Sequence, residues 1–206
     1  MKSFNSLRTL LPSTLWVFLL VVLVGWSRYL PFSYPELYNF SPVLALFLVS
    51  GCLIKSRLGW FAPVLAVLIS DFFLNPRYGA NFFELFSLVT LGVYVVIFLL
   101  GKSLKRPSLP SLLGGSILSA LLFHIVTCSF SWVMNNAYTK NFAGFWQAQI
   151  WGEPGYAPSY LFLRNSIFST ILFTLLFLLV FSKLNKRDKV AEKSFGLQKI
   201  GEENLY

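Results

Sequence analysis

The chain has 206 residues, of which 56% are hydrophobic and only 12% charged, with 22 phenylalanines, six tryptophans and a mean hydropathy of +0.66. That balance excludes an ordinary soluble domain and reads as an integral membrane protein. The net charge of +9 does not indicate nucleic-acid binding, because the basic residues cluster in short segments between apolar runs, where the positive-inside rule accounts for them.

The first apolar run, about residues 12 to 30, is long enough to cross roughly 30 Å of hydrocarbon. No A-x-A cleavage signal follows it, so it reads as a retained span. The proline-rich stretch from Leu30 to Glu36 has the composition of a re-entrant segment, tolerated where protein covers its backbone. A second run, Ser41 to Ile54, is short for a span, with Ser41 placed as N-cap and Pro42 at the first helical position. Lys55 and Arg57 mark a tight connection to a third span, about Leu58 to Leu74, which carries Asp71 near its far end. Asn75-Pro76-Arg77-Tyr78-Gly79 is a turn by composition, and a fourth span from about Phe82 to Leu100 opens with Glu84.

A basic, proline-containing loop leads to a fifth span over about Leu112 to Asn135. His124, Cys128, Trp132 and Asn135 recur on it at three- and four-residue spacing and so share one helical face, which points at something other than lipid. The loop from Asn136 to Ser159 is rich in aromatic residues, among them Phe145, Trp146 and Trp151. A sixth span, about Tyr160 to Leu184, begins with Arg164-Asn165 and ends in a basic tail. The expected architecture is therefore an all-α membrane protein: one domain of six transmembrane helices over residues 1–189, followed by a cytoplasmic tail over 190–206. The last four residues, Glu203 to Tyr206, resemble a protease-tag remnant and are set aside.

With both termini cytoplasmic, the inner segments hold thirteen of the seventeen Lys and Arg residues, leaving Arg28, Arg77, Lys140 and Arg164 at the outer ends. In that topology Arg28, Asn39, Asp71, Asn75, Glu84, the His124–Asn135 face, Arg164 and Asn165 all converge on the outer leaflet. Intramembrane charge costs about 2.5–3.5 kcal/mol per residue even on insertion scales, so such groups face a cavity, a partner or the interface. The expected pocket is lined by Asn39, Asp71, Asn75, Glu84, His124, Trp132, Asn135, Arg164 and Asn165. Trp146 and Trp151 stack on a flat ligand or close over it, and Arg164 binds an anionic group.

Plainer readings stand beside this one. Asp71 with Arg164, or Glu84 with Arg28, can be structural ion pairs, and the aromatic loop can be an interfacial belt. His124 can be an interhelical tie, and Cys128 a small buried apolar residue. Neither Cys52 nor Cys128 belongs to a disulfide framework or a CxxC metal site, and no cofactor is indicated.

Four segments resemble a bacterial membrane family. They are Asn39-Phe40-Ser41-Pro42, Ser70-Asp71-Phe72-Phe73-Leu74, Phe142-Ala143-Gly144-Phe145 and Leu163-Arg164-Asn165-Ser166. That family is similar to the substrate-binding S components of energy-coupling factor (ECF) vitamin transporters. The resemblance implies an S-component-like six-helix bundle in the bacterial cytoplasmic membrane. Such a bundle captures a vitamin or related micronutrient from outside, under lid-like outer loops, and works with a coupling subunit and two ATPases. A corrinoid with His124 or Cys128 near its metal is one such ligand. Two departures stand out: Leu15 to Gly25 lacks the A-x-x-x-A pattern that meets the coupling subunit, and the Arg28–Asn39 link is longer than usual.

Two other classes compete with capture: an intramembrane enzyme using Asp71, Glu84 and His124, and a structural partner of a larger membrane complex. No H-E-x-x-H or G-x-S-x-G signature supports catalysis, and no P-loop supports Walker-type ATP hydrolysis. The topology predicts that Lys140→Cys reacts with membrane-impermeant thiol reagents applied from outside; labelling from the cytoplasmic face alone reverses it.

Overall fold

In a computed structural model of the chain, the described residues are 22–53, 60–79, 84–104 and 108–203. All their regular structure is helical. Helix α1 covers 22–29, and two 3-10 turns, Leu30–Phe32 and Pro35–Leu37, follow it. The remaining helices are α2 (Val43–Leu53), α3 (Phe61–Leu74), α4 (Leu85–Ser103), α5 (Leu109–Met134), α6 (Phe142–Ile150) and α7 (Ser159–Glu203). The chain divides into two compact units, Met1–Thr174 and Leu175–Tyr206.

Three helical stretches are long and apolar enough to cross a membrane: Leu85–Ser103, Leu109–Met134 and Ser159–Val180. They coincide with the fourth, fifth and sixth expected spans. Among the described residues the third expected span is helical over 14 residues and the second over 11, and Ile54, Leu58, Gly59 and most of the first span lie outside the described residues. At 1.5 Å per residue α2 is roughly 16 Å long, about half the hydrocarbon thickness. Its first intrahelical bond runs from the Leu46 N–H to the Pro42 carbonyl, so the helix starts one residue later than an N-cap at Ser41 implies.

Helix α2 is the centre of the first unit. Every residue from Val43 to Gly51 is buried, which an all-round apolar helix requires. It packs most closely on α4, where glycines face each other's backbone. A Cβ on Gly51 would lie 2.1 Å from the Phe98 carbonyl oxygen, and one on Gly101 would lie 2.1 Å from that of Leu48. Glycine on both sides is what lets two backbones meet this closely. One aromatic stack then joins three helices: Phe47 of α2 lies on Tyr94 of α4 (centroids 5.0 Å apart), which lies on Phe123 of α5 (5.7 Å).

Small polar side chains fill the α5 and α7 faces that turn inward. Ser116, Ser119 and Thr127 of α5 and Ser166, Thr170 and Thr174 of α7 are buried, and Ser116 Oγ lies 3.0 Å from Thr174 Oγ1. Four of these hydroxyls, those of Ser116, Ser119, Thr127 and Thr170, also donate to a carbonyl four residues back, which satisfies them within the helix in an apolar setting. Helix α5 begins at Leu109, three residues before the expected Leu112, because Ser108 and Ser111 form a reciprocal capping box and Pro110 fits the first turn.

The aromatic loop contains a helix that composition did not announce. Asn141 caps α6 through its side-chain oxygen, which accepts from the Gly144 N–H at 2.9 Å. Gly152, at φ +73°, ends it with an N–H bond back to the Gln147 carbonyl. Gly144 is also required sterically, since a Cβ there would sit 2.0 Å from the Thr139 carbonyl oxygen.

Gly51→Ala is predicted to lower stability by about 1–3 kcal/mol through overpacking. Gly92→Ala, at a position with nothing within 4 Å, leaves it unchanged or slightly raised. Thermal melts of the two variants in detergent decide the point: equal melting temperatures would mean α2 and α4 do not meet through glycine.

Candidate functional site

At the end of the bundle formed by the C-termini of α1, α3 and α5 and the N-termini of α4 and α7 lies a cavity of about 550 Å³. This is within the range of small-molecule sites. A recess of about 80 Å³ adjoins it, sharing Asp71, Glu84 and Tyr94. Val43, Leu44, Tyr94 and Phe123 give the cavity an apolar side, so the three-helix aromatic stack is also part of its wall.

Five of the eleven expected site residues line this cavity: Asn39, Asp71, Asn75, Glu84 and His124. Asn39 adopts a left-handed conformation (φ +61°), one that asparagine tolerates better than most residues, and it turns the chain from the 3-10 segment into α2. Asp71 does not take its suggested partner, Arg164. Its carboxylate meets Arg28 of α1, whose guanidinium also donates to Ser70 Oγ. Ser70 in turn donates to the Val67 carbonyl at 2.8 Å, so α1 and α3 are held by one charged group and one hydroxyl relay.

His124 has two roles. Its Nε2 lies 2.8 Å from the Gln149 carbonyl oxygen, which can only accept, so Nε2 carries the proton and Nδ1 is left as an acceptor. Cys128 Sγ lies 3.7 Å from that Nδ1. The Gln149 side chain returns the connection, donating to Ser129 Oγ at 3.1 Å and to the Ile125 carbonyl at 3.4 Å. Helix α6 is thus stitched to α5 by two residues, one from each.

The other six expected residues, Trp132, Asn135, Trp146, Trp151, Arg164 and Asn165, stand outside the lining. Trp132 donates from Nε1 to the Thr139 carbonyl at 2.9 Å and packs edge-on against Phe145. Asn135 ends α5 and donates through Nδ2 to Glu153 at 2.7 Å. Trp146 and Trp151 are largely exposed, in edge-to-face contacts with Phe145 and Tyr160. Arg164 points both Nε and Nη2 at the Asn165 side-chain oxygen, at 3.2 and 3.1 Å. Asn165 is buried and donates to the Glu36 and Tyr38 carbonyls at 2.6 and 2.8 Å, 129 and 127 residues away in the chain. The Arg164-Asn165 pair therefore anchors the loop leading into α2, and the cationic lining group is Arg28.

Glu153 and Tyr138 are among the lining residues that the sequence did not mark, and Tyr156, a ring of the aromatic loop, joins them. They come from the connections before and after α6, which only the fold brings over α5. Burial first, and the Glu153 carboxylate second, push the Tyr138 phenol above its ordinary range, so it remains a neutral donor at neutral pH. Lys140 does not reach the cavity. Its ammonium donates to the Trp132 and Asn135 carbonyls, capping the negative end of α5. Among the described residues no group of three or more His, Cys, Asp or Glu is placed to hold a metal ion.

Residues 8–192 match the profile of a family described as "Family of unknown function (DUF6580)", and the chain belongs to that family. No curated protein and no solved structure matches the chain.

Asn165→Leu would strand two loop carbonyls at roughly 1–3 kcal/mol each. The expected result is a lower melting temperature together with faster proteolysis near Tyr34–Tyr38. Unchanged cleavage there would show that the loop holds without the amide.

Proposed function

We propose that this family member is a membrane-embedded capture protein that binds a small organic micronutrient in the cavity between α1, α3, α4, α5 and α7. One observation carries the reading: polar and charged groups from five helices and four connections converge on one cavity of ligand size at one end of an apolar bundle. Structural ties alone account for less, because ties consume their polar groups pairwise and leave no space between them. Here the Arg28–Asp71 pair and His124 both make ties and still border the cavity.

The positive-inside distribution supports six spans with the cavity outward, in the bacterial cytoplasmic membrane. The likeness of four motifs to those of a family similar to S components supports uptake as the purpose. The motifs lie where such a role needs support. Asn39 and Asp71 line the cavity, Gly144 lets α6 pack, and Asn165 pins the α1–α2 connection. The chain holds no P-loop, so energy for release comes from a partner such as an ECF coupling subunit with its ATPases.

The reading predicts that at least one vitamin or related micronutrient stabilises the purified protein; a ligand at 100 times its Kd adds about 2.7 kcal/mol. Ser131→Trp, which fills the cavity from α5, removes that stabilisation while the unliganded protein still melts cooperatively. Thermal melts across a vitamin panel check this, and a panel without effect on the wild-type protein contradicts it.

A further inference from the structure

Helix α6 carries an apolar stripe that no charge interrupts. Phe142, Trp146 and Ile150 recur every four residues and are 76%, 47% and 38% exposed, while Gly144, Ala148 and Gln149 face inward. From Asn141 to Gly152 the chain has no charged residue, although Lys140 and Glu153 stand immediately outside that stretch. A helix that met water on such a face would leave its largest side chains uncovered, so the stripe marks contact with something apolar.

The contacts of α6 give its depth. Its first turn lies beside the end of α5, where Trp132 packs edge-on against Phe145. Its last turn lies further back along α5: the Gln149 carbonyl oxygen is 2.8 Å from His124 Nε2, and the Gln149 side chain donates to the Ile125 carbonyl and to Ser129 Oγ. The 26 residues of α5 make a helix about 39 Å long, against roughly 30 Å of hydrocarbon, or about 20 helical residues. Even if the whole excess projects at the α6 end, hydrocarbon that begins at Leu109 extends to about Ser129, so the last turn of α6, bonded at the level of His124 to Ser129, lies within it.

The backbone at that level is answered as membrane depth requires. Trp151 and Gly152 donate their N–H groups to the Gln147 carbonyl at 2.9 and 2.8 Å, and His124 answers the Gln149 carbonyl. The connection that follows lines the cavity with Gly152, Glu153, Tyr156 and Ala157. Non-helical backbone at depth is tolerated where protein or a water-filled cavity adjoins it. The stripe also runs on into the apolar outer sides of the spanning helices: Trp151 meets Tyr160 of α7 edge-on, and Tyr160 and Phe168 of α7 and Ile125 of α5 are exposed.

We propose that α6 is a re-entrant membrane helix, dipping from the lipid headgroups at Phe142 to the acyl chains at Ile150, so that its outer stripe rests on lipid and not on water. This surface is independent of what the cavity binds.

Nitroxide labels on single cysteines test this, with Phe142→Cys, Trp146→Cys or Ile150→Cys made in the full chain carrying Cys52→Ser and Cys128→Ser and reconstituted in vesicles of phosphatidylcholine and phosphatidylglycerol. The readout is the ratio of collisions with oxygen, which dissolves in lipid, to collisions with a water-soluble nickel chelate. The ratio is expected to rise in the order Phe142, Trp146, Ile150, with exposed Asn136→Cys below all three as the water reference and Phe168→Cys above them as the lipid reference. A ratio at Ile150 no higher than at Asn136 would put α6 in water, and equal ratios at the three positions would lay it flat on the surface; either result overturns the proposal. Should the cysteine-free background fail to fold, quenching of tryptophan fluorescence by lipids brominated along their acyl chains decides instead. Trp151→Phe in otherwise native protein is expected to remove a quenched component, and loss of a component that the bromines never touched overturns the proposal.

Discussion

Irregular backbone resting on an apolar bundle must have its carbonyls and N–H groups answered by protein, because each one left unmet costs about as much as a whole helix cap contributes. Much of the polar inventory of this chain is committed to that demand. Asn165 answers Glu36 and Tyr38, His124 answers Gln149, Lys140 answers the end of α5, and Trp132 answers Thr139. Without these ties the connections over the bundle end would not hold one conformation, and the cavity beneath them would have no fixed wall.

The lower part of the cavity depends on a different kind of fit. Gly51 and Gly101 let α2 and α4 approach at backbone distance, which puts Phe47, Tyr94 and Phe123 in one stack. The last two rings of that stack face the cavity, so the packing of the core and the shape of the site are set by the same contacts. Charge enters at the rim through Arg28 and three carboxylates drawn from separate elements.

Long apolar runs made α4, α5 and α7 legible, since hydropathy and length are properties of contiguous residues. Polar residues at membrane depth made Asp71, Glu84 and His124 legible for a similar reason: their cost demands a purpose. Partner choice was not legible. Arg28 pairs with Asp71 because α1 and α3 are neighbours, a fact about tertiary packing that no spacing records. Arg164 shows the same limit, with a guanidinium suited to an anion turned toward the amide beside it. Helix α6 was hidden because it is only nine residues long and three of them are aromatic, although Asn141 before it and Gly152 after it are sound cap residues. Glu153 sits in the aromatic loop, where the rings rather than the carboxylate drew the reading, and becomes part of the site only when the fold carries that connection over α5.

Native mass spectrometry of protein purified gently from cells grown in rich medium bears most directly on the account. Capture predicts a folded species heavier by one small organic molecule, which is released on denaturation. A well-folded protein that carries nothing, and gains no mass when vitamins are supplied, would contradict it.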